Sequence, residues 1–346
     1  MRRLVSAFAA LAAVVVALSA ASPPAVQKND TGPRIVAIGD VHGAVENFTA
    51  ILKQTGLIDD QQRWSGGKSI LVQTGDLCDR GPGMRAALDL VMALEGQAKA
   101  AGGRVHALLG NHEVMNMVGE TRDGSPEIFA SFGGEEATRE AFGARGRYGK
   151  WLRSKPVIAE VNESVFMHAG VDLSFSDASL NEINQRARRE IAEWDEGLKW
   201  LVEQKLVSGS AKFLQVVEAA RVEHERLLSK PTPNEPDAQR TAALLVPLVN
   251  IGYSSLFAPN GPLWFRGFAS WTDEEGDAKI SELLKKFRAD RFVTGHTPQS
   301  DGRIKERFSG KLFLIDTGML NGKFYPQGRP SALEITPAGA KVIYLN

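Results

Sequence analysis

The amino-acid sequence predicts an α/β fold of mixed, α+β character: a β-sandwich flanked by helices and carrying one helical insertion. Three observations predict it. Short apolar runs, Ile35 to Ile38, Ile70 to Val72 and Val105 to Leu109, alternate with amphipathic stretches, and this βαβαβ order builds a mostly parallel sheet with helices outside it. Each run ends in a glycine-flanked polar cluster: Gly39-Asp40-Val41-His42-Gly43, Gly75-Asp76-Leu77-Cys78-Asp79-Arg80-Gly81 and Gly110-Asn111-His112-Glu113. Two later clusters, Phe166-Met167-His168-Ala169-Gly170 and Phe292-Val293-Thr294-Gly295-His296, repeat the design, with 128 positions from the first histidine to the second. That interval is long enough to hold an insertion.

In chain order, the strand Arg34 to Gly39 leads into a helix from about Ala44 to Gln54, with Val45, Phe48, Ile51 and Leu52 on one face. Pro82 stands where the second helix begins, over Met84 to Ala100, and Gly102-Gly103 closes it. The third cluster follows its strand directly. From Asn116 to Lys155 the apolar period weakens and glycine is frequent, which predicts loops and short helices over the site. The runs Val157 to Val161 and Ser164 to His168, joined by Asn162-Glu163, predict a hairpin in a second sheet.

The insertion spans about 175–260. Within it Ser179 and Glu182 match a capping box that opens a helix to about Leu206. Phe213, Val217, Ala220 and Leu227 outline a second helix ahead of a Pro231-Thr232-Pro233 linker. The pair reads as a helical hairpin packed on the core that can also shape substrate access. Beyond Gly261-Pro262-Leu263-Trp264-Phe265-Arg266-Gly267, a helix over Ile280 to Phe287 precedes the strand Arg291 to Thr294. Strands Lys311 to Ile315, Ala332 to Ile335 and Lys341 to Leu345 complete the chain and predict an antiparallel second sheet.

A chain of 346 residues that is 43% hydrophobic buries a full core, and residues 34–346 read as one catalytic domain. The 41 basic and 41 acidic residues leave no electrostatic footprint for nucleic acid. A single cysteine, Cys78, excludes an internal disulfide and reads as a small buried hydrophobe. Arg2 and Arg3 precede an apolar stretch from Leu4 to Leu18, and Ser19-Ala20-Ala21 follows with small residues. This pattern predicts a signal peptide over 1–21 and export to the periplasm or beyond, with no membrane association after cleavage. An uncleaved N-terminal anchor is the alternative. Residues 22–33 read as a flexible lead-in.

The polar clusters specify the chemistry. Two cations about 3.5–4 Å apart require a ligand that shares oxygens between them, which a carboxylate does readily. Asp76, central in the series, is the candidate bridge. Asp40 and His42 would complete one metal, and Asn111, His168 and His296 the other. Imidazole, carboxylate and amide together suit manganese first, with iron or zinc as alternatives, over a soft thiolate metal or plain magnesium. A water held by both ions would be deprotonated near neutral pH and serve as nucleophile. Arg80 and Arg266 can each present a fork to phosphate oxygens. His112 can protonate the leaving group if Asp79 fixes its tautomer. His106 and His224 lie outside the clusters and read as structural; Asp316, at a strand end, reads as a support of the ligand set or as structural. The composition of the centre implies a metal-dependent phosphoesterase.

These three ordered signatures, with the later His168 and His296, resemble the calcineurin-like metallophosphoesterases in their PPP, protein phosphatase form. The resemblance extends from about Arg34 to Asp316 and leaves the insertion uncovered. It implies a four-layer β-sandwich, a dinuclear metal centre of two divalent or trivalent ions, and one-step hydrolysis by metal-bound hydroxide. His168-Ala169-Gly170 departs from the usual His-Gly-Gly, and His296 is followed by Thr297-Pro298. With Leu263-Trp264-Phe265-Arg266-Gly267 and the export signal, these features look more like the bacterial Shewanella-like phosphatase branch. The implied substrates are phosphorylated proteins, on tyrosine or on serine and threonine, or small phosphomonoesters. Dinucleoside polyphosphate hydrolysis or phosphodiester cleavage is the alternative enzyme reading, and an inactive scaffold the remaining one.

Overall fold

The computed structural model describes residues 32–229, 236–322 and 324–345. The predicted signal segment and the Pro231-Thr232-Pro233 linker lie outside the described residues. Strands β1 (Ile35–Ile38), β2 (Ile70–Gln73) and β3 (Arg104–Ala107) pair in parallel, joined by helices α1 (Val45–Gln54) and α2 (Met84–Ala100). Register is the consequential feature. Ile38 stands opposite Gln73, and Gln73 opposite Ala107, so the three strands end level and release their polar clusters at one edge.

Downstream of β3 come helices α3 (Asn111–Met117), α4 (Pro126–Phe132), α5 (Glu135–Phe142) and α6 (Arg147–Arg153). The hairpin forms as expected from β4 (Ile158–Val161) and β5 (Ser164–Met167), turning at Asn162 and Glu163, both at positive φ. Among the described residues the insertion contributes three α-helices, α7 (Leu180–Glu203), α8 (Phe213–Leu228) and α9 (Pro236–Val249). The expected helical hairpin is therefore corrected to a trio. Pro247 reads as a breaker, yet it falls in the last turn of α9, and Leu245 and Leu248 on either side are fully buried against Trp194 and Val216.

Helix α10 (Gly267–Ser270) and helix α11 (Asp273–Phe287) follow, the latter beginning about two turns earlier than the apolar spacing suggests because Thr272 accepts from Glu275 N. Strands β6 (Arg291–Thr294), β7 (Lys305–Arg307), β8 (Leu312–Leu314), β9 (Ser331–Thr336) and β10 (Gly339–Tyr344) finish the fold. The second sheet runs β4-β5-β6-β8-β7 and is mixed: β5, β6 and β8 are parallel, while β4 and β7 are antiparallel at its edges. The expectation of an antiparallel second sheet fails further, because β9 and β10 join the first sheet beside β1. Their period-2 pattern specifies two faces but not which sheet to join.

The layers follow from alternation along the strands. Ile35 and Ala37 of β1 point into a core between the sheets, with Phe166, Val293, Phe313 and Leu333. Val36 and Ile38 point the other way, into the apolar cluster that also holds Phe48, Ile51, Leu88 and Val91 of α1 and α2. On the far side, Val165, Phe292 and Leu312 share that cluster with Ile280, Leu283 and Phe287 of α11. Helix, sheet, sheet and helix thus stack in four layers. Each such side chain contributes about 1.5–3 kcal/mol when fully buried.

The insertion has its own apolar cluster around Trp194, Leu201, Val216 and Leu245. It docks beside α3. Val118, just past the end of α3, joins that cluster, Phe213 N donates to Gly119 O at 3.1 Å, and Arg139 Nε donates to Ser210 O at 2.6 Å. No described helix is long and apolar enough to cross a membrane.

Candidate metal centre

Six strand ends meet at the centre. In the second sheet Met167 is level with Thr294 and Thr294 with Leu314, so His168, His296 and Asp316 emerge together opposite the three clusters of the first sheet. The sheets interlock there: His168 Nδ1 lies 3.0 Å from Thr74 O, and His296 N donates to Asp40 Oδ1 at 3.0 Å. Gly295 is required by this approach, since a Cβ there would stand 2.2 Å from Asp40 Oδ1. Five of the residues have left-handed backbones, His42, Asp76, Asp79, Arg80 and His296. Conformations this unfavourable for side-chain-bearing residues persist where the surroundings enforce them, and they concentrate at functional sites.

Asp76 is central. Its Oδ1 accepts from His112 N at 3.1 Å, and its Oδ2 lies 3.4 Å from His168 Nε2, 3.5 Å from His42 Nε2 and 3.9 Å from His112 Nε2. Glu113 holds the surrounding backbone: its carboxylate accepts from Asp76 N at 2.7 Å, Gly110 N at 2.8 Å and Cys78 N at 3.0 Å. Asn111 and His112 open helix α3. The helix makes that grip geometrically available, because Glu113 sits at its third residue and reaches back to Gly110.

Two groups of donor atoms converge within 4.8 Å: His42, Asp76 and His112, and Asp76, His168 and His296. Asp40 flanks the first, its Oδ2 3.9 Å from His42 Nε2; Asn111 completes the second, its Oδ1 2.8 Å from His168 Nε2. The chemistry of this set fits cations. His168 Nδ1 faces a carbonyl and must donate, so the neutral ring presents a bare Nε2 to Asn111 Oδ1 and to His296 Nδ1 at 3.0 Å. A bare ring nitrogen facing the lone pairs of the Asn111 amide oxygen calls for positive charge between them. His42 is oriented the same way, with Nδ1 2.8 Å from Cys78 O.

Electrostatics point the same way. Burial, and then the charges of His112 and Arg80, hold His42 well below the usual histidine range. Burial followed by His296 does the same to His168, and burial with Arg266 lowers His296 to about 3. All three are thus free bases near neutrality, the form that ligates. Burial pushes Asp76 up to about 7 and Asp316 to about 6; burial and the neighbouring Asp316 and Asp76 raise Asp40. Buried carboxylates this crowded are held ionised by cations.

Around the ligand set lie the groups expected to handle phosphate. His112 Nδ1 is 2.8 Å from Asp79 Oδ2. Burial opposes charge on His112, but Asp76 and the Asp79 contact outweigh it and raise its pKa. A cavity of about 100 Å³ is lined by Asp76, Arg80, His112, Trp264, Arg266 and His296, among others. Arg266 approaches His296 O at 3.3 Å and Thr297 Oγ1 at 3.2 Å. The geometry therefore brings together all nine residues singled out from the clusters, and the later Arg266 with them.

The calcineurin-like phosphoesterase family model matches residues 33–300. The chain belongs to that family. As a calcineurin-like phosphoesterase it is a metal-dependent hydrolase of phosphoesters. It is 29% identical over 300 residues to an uncharacterised protein of Schizosaccharomyces pombe, covering 82% of this chain and 73% of that one. It is 27% identical over 315 residues to Shewanella-like protein phosphatase 1 of Plasmodium berghei, covering 90% and 74%. A solved cold-active protein-tyrosine phosphatase of a psychrophilic Shewanella species superposes with a TM-score of 0.63 at 24% identity, covering 91% of this chain and 81% of that one. That likeness is one of fold.

The structure of this calcineurin-like phosphoesterase also shows what the linear reading missed. Asn116 donates from its amide to Asp79 Oδ2 at 2.9 Å; its place four residues after His112 is visible only once Asn111 to Met117 is known to be helical. Asp316, read as a support of the ligand set or as structural, takes the first role: its carboxylate adjoins that of Asp40 and accepts from Gly318 N at 3.0 Å. Tyr325 accepts through its hydroxyl oxygen from Arg80 Nη1, and nothing in its local sequence signals this. His106, on β3, and His224, on α8, lie in neither donor group.

Proposed function

We propose that this chain is a phosphomonoesterase of protein-phosphatase type, acting on phosphotyrosine or on phosphoserine and phosphothreonine. One observation carries the reading: two guanidiniums and His112, itself paired with Asp79, line one small cavity together with Asp76 and His296. At about 100 Å³ it has room for a few water-sized groups, which matches one phosphoryl group. The likeness to Shewanella-like protein phosphatase 1 supports a protein substrate. Trp264, 6.0 Å from the His296 ring between centroids, offers an aromatic wall that favours an aryl leaving group.

Asp40, His42, Asp76, Asn111, His168 and His296 are the residues that would hold two ions, with manganese the best match to the donor set and iron or zinc next. When bound, the ions supply an activated water and neutralise developing charge on phosphate oxygens. Arg80 and Arg266 orient the phosphoryl group through paired N–H donors. Asp79 keeps the His112 Nδ1 proton in place, so that Nε2 faces the ester oxygen and gives it a proton as the P–O bond breaks. Asn116 fixes Asp79 in turn.

Competitive kinetics test the proposal. Protein loaded with manganese, iron or zinc is offered phosphotyrosine, phosphoserine and phosphothreonine peptides, p-nitrophenyl phosphate and diadenosine tetraphosphate. Monoester turnover well above that of the dinucleotide is expected; the reverse order would establish a polyphosphate hydrolase. Export is proposed from the N-terminal pattern, and recovery of protein beginning at Ser22 in a periplasmic fraction is its expected sign. Cytoplasmic protein retaining Leu4 to Leu18 would overturn it.

A further inference from the structure

We propose that Tyr325 is a positioning residue of the phosphate clamp: its phenol holds the Arg80 guanidinium in the orientation that receives phosphoryl oxygens. The inference rests on the phosphatase reading above. Among the described residues Arg80 has three side-chain hydrogen-bond partners. Its Nη1 lies 2.5 Å from His42 Nε2, its Nη2 lies 3.1 Å from His112 Nε2, and Nη1 also contacts the Tyr325 hydroxyl.

Two of these partners have other duties. His42 Nε2 belongs to the candidate ligand set, and a lone pair given to a cation no longer accepts from arginine. His112 Nε2 faces the ester oxygen, and when protonated it is a donor itself. Tyr325 is the partner that neither duty removes. Its hydroxyl oxygen accepts from Nη1, while its ring centroid lies 5.9 Å from the guanidinium carbon, within cation–π range. Together these contacts fix both the position and the plane of the fork.

The phenol is itself well placed. It lies in the connection between β8 and β9, where Gly328 N donates to Tyr325 O at 2.9 Å and Arg329 N to Thr317 O at 3.1 Å. Gly318, at φ +67°, admits the tyrosine: a Cβ there would stand 2.6 Å from Tyr325 Cβ. A side chain packed this closely presents its hydroxyl with little rotamer freedom left to lose.

The test compares Y325F, which keeps the ring and removes the hydroxyl, with Y325A and with each change in an R80A background. The measurements are kcat and KM for p-nitrophenyl phosphate, the inhibition constant of inorganic phosphate, bound metal by elemental analysis, and Tm. Y325F is expected to raise KM and the phosphate inhibition constant together by about tenfold, the weight of one hydrogen bond. Metal content and Tm stay at wild-type values, Y325A is weaker still, and Y325F has no further effect once Arg80 is gone. Unchanged phosphate affinity in Y325F overturns the inference. So does loss of metal or of Tm, which would make the tyrosine a support of the fold, and so does an effect that persists without Arg80. Wild-type protein that neither hydrolyses the ester nor binds phosphate would bring down the phosphatase reading itself, whereas an active wild type with an indifferent Y325F removes this inference alone.

Discussion

The strand-end centre and the helical insertion are built on opposite terms. At the centre, buried carboxylates and imidazoles crowd together on left-handed backbones, at His42, Asp76, Asp79 and His296, beside the half-buried and equally left-handed Arg80. In the insertion, α7 and α8 are regular, amphipathic helices closed over Trp194, Leu201 and Val216. Desolvated charge and backbone strain oppose folding at the centre, so the surrounding sheets must enforce it. The insertion stabilises itself by burying apolar area. Chemistry is therefore expected to respond to changes at the first region, and stability to changes at the second.

The comparison is most exposed at Asp76. D76N keeps the shape but removes the charge shared between both donor groups, and should lower turnover by about 10³-fold or more while reducing bound metal and leaving the helical circular dichroism signal intact. Retained turnover with full metal content would show that the bridge lies elsewhere. Next in size is D79N, which should cost on the order of 10²-fold in kcat, the lower end of general-acid catalysis. Its pH profile gives the sign: Asp79 helps hold His112 above its ordinary pKa, and a general acid works below its pKa. Removing that charge should move the alkaline limb of kcat/KM to lower pH. A limb that stays in place would sever Asp79 from His112.

On the other side of the comparison, W194A should cost about 3–5 kcal/mol of stability, as large buried aromatics do, read by denaturant unfolding, with kcat changed far less than by D79N. A collapse of kcat in folded W194A protein would mean that the contact of Phe213 with Gly119 transmits more than support. The smallest effect is expected from S179A, which removes the α7 cap that accepts from Glu182 N and should lower stability by about 1 kcal/mol. No measurable change there would show that α7 draws its order wholly from packing.

Legibility followed the range of the interactions. Strand β1, helix α2 and strand β6 stand where their apolar periods end, and α7 begins at its capping box, because these signals are local. The metal-type residues were legible because a glycine-flanked acid or histidine at a strand end has few structural reasons to recur five times. Helix α3 carries no helical signature in the sequence, since seven residues show too little periodicity, and the role of Asn116 is hidden with it. Helix α9 was hidden by Pro247, whose cost is offset by burial of Leu245 and Leu248.

By itself the sequence determined the strands, the order of the clusters and the kind of donor each carries, because side-chain chemistry and local periodicity are properties of neighbouring residues. Only the tertiary structure decided that β9 and β10 pair with β1, that both sheets end level so that Asp76 lies among three imidazoles, and that Tyr325 reaches Arg80 across 245 positions. The physical reason is register. Pairing between strands and packing between sheets are set by the whole core at once, and no short stretch of chain contains that information.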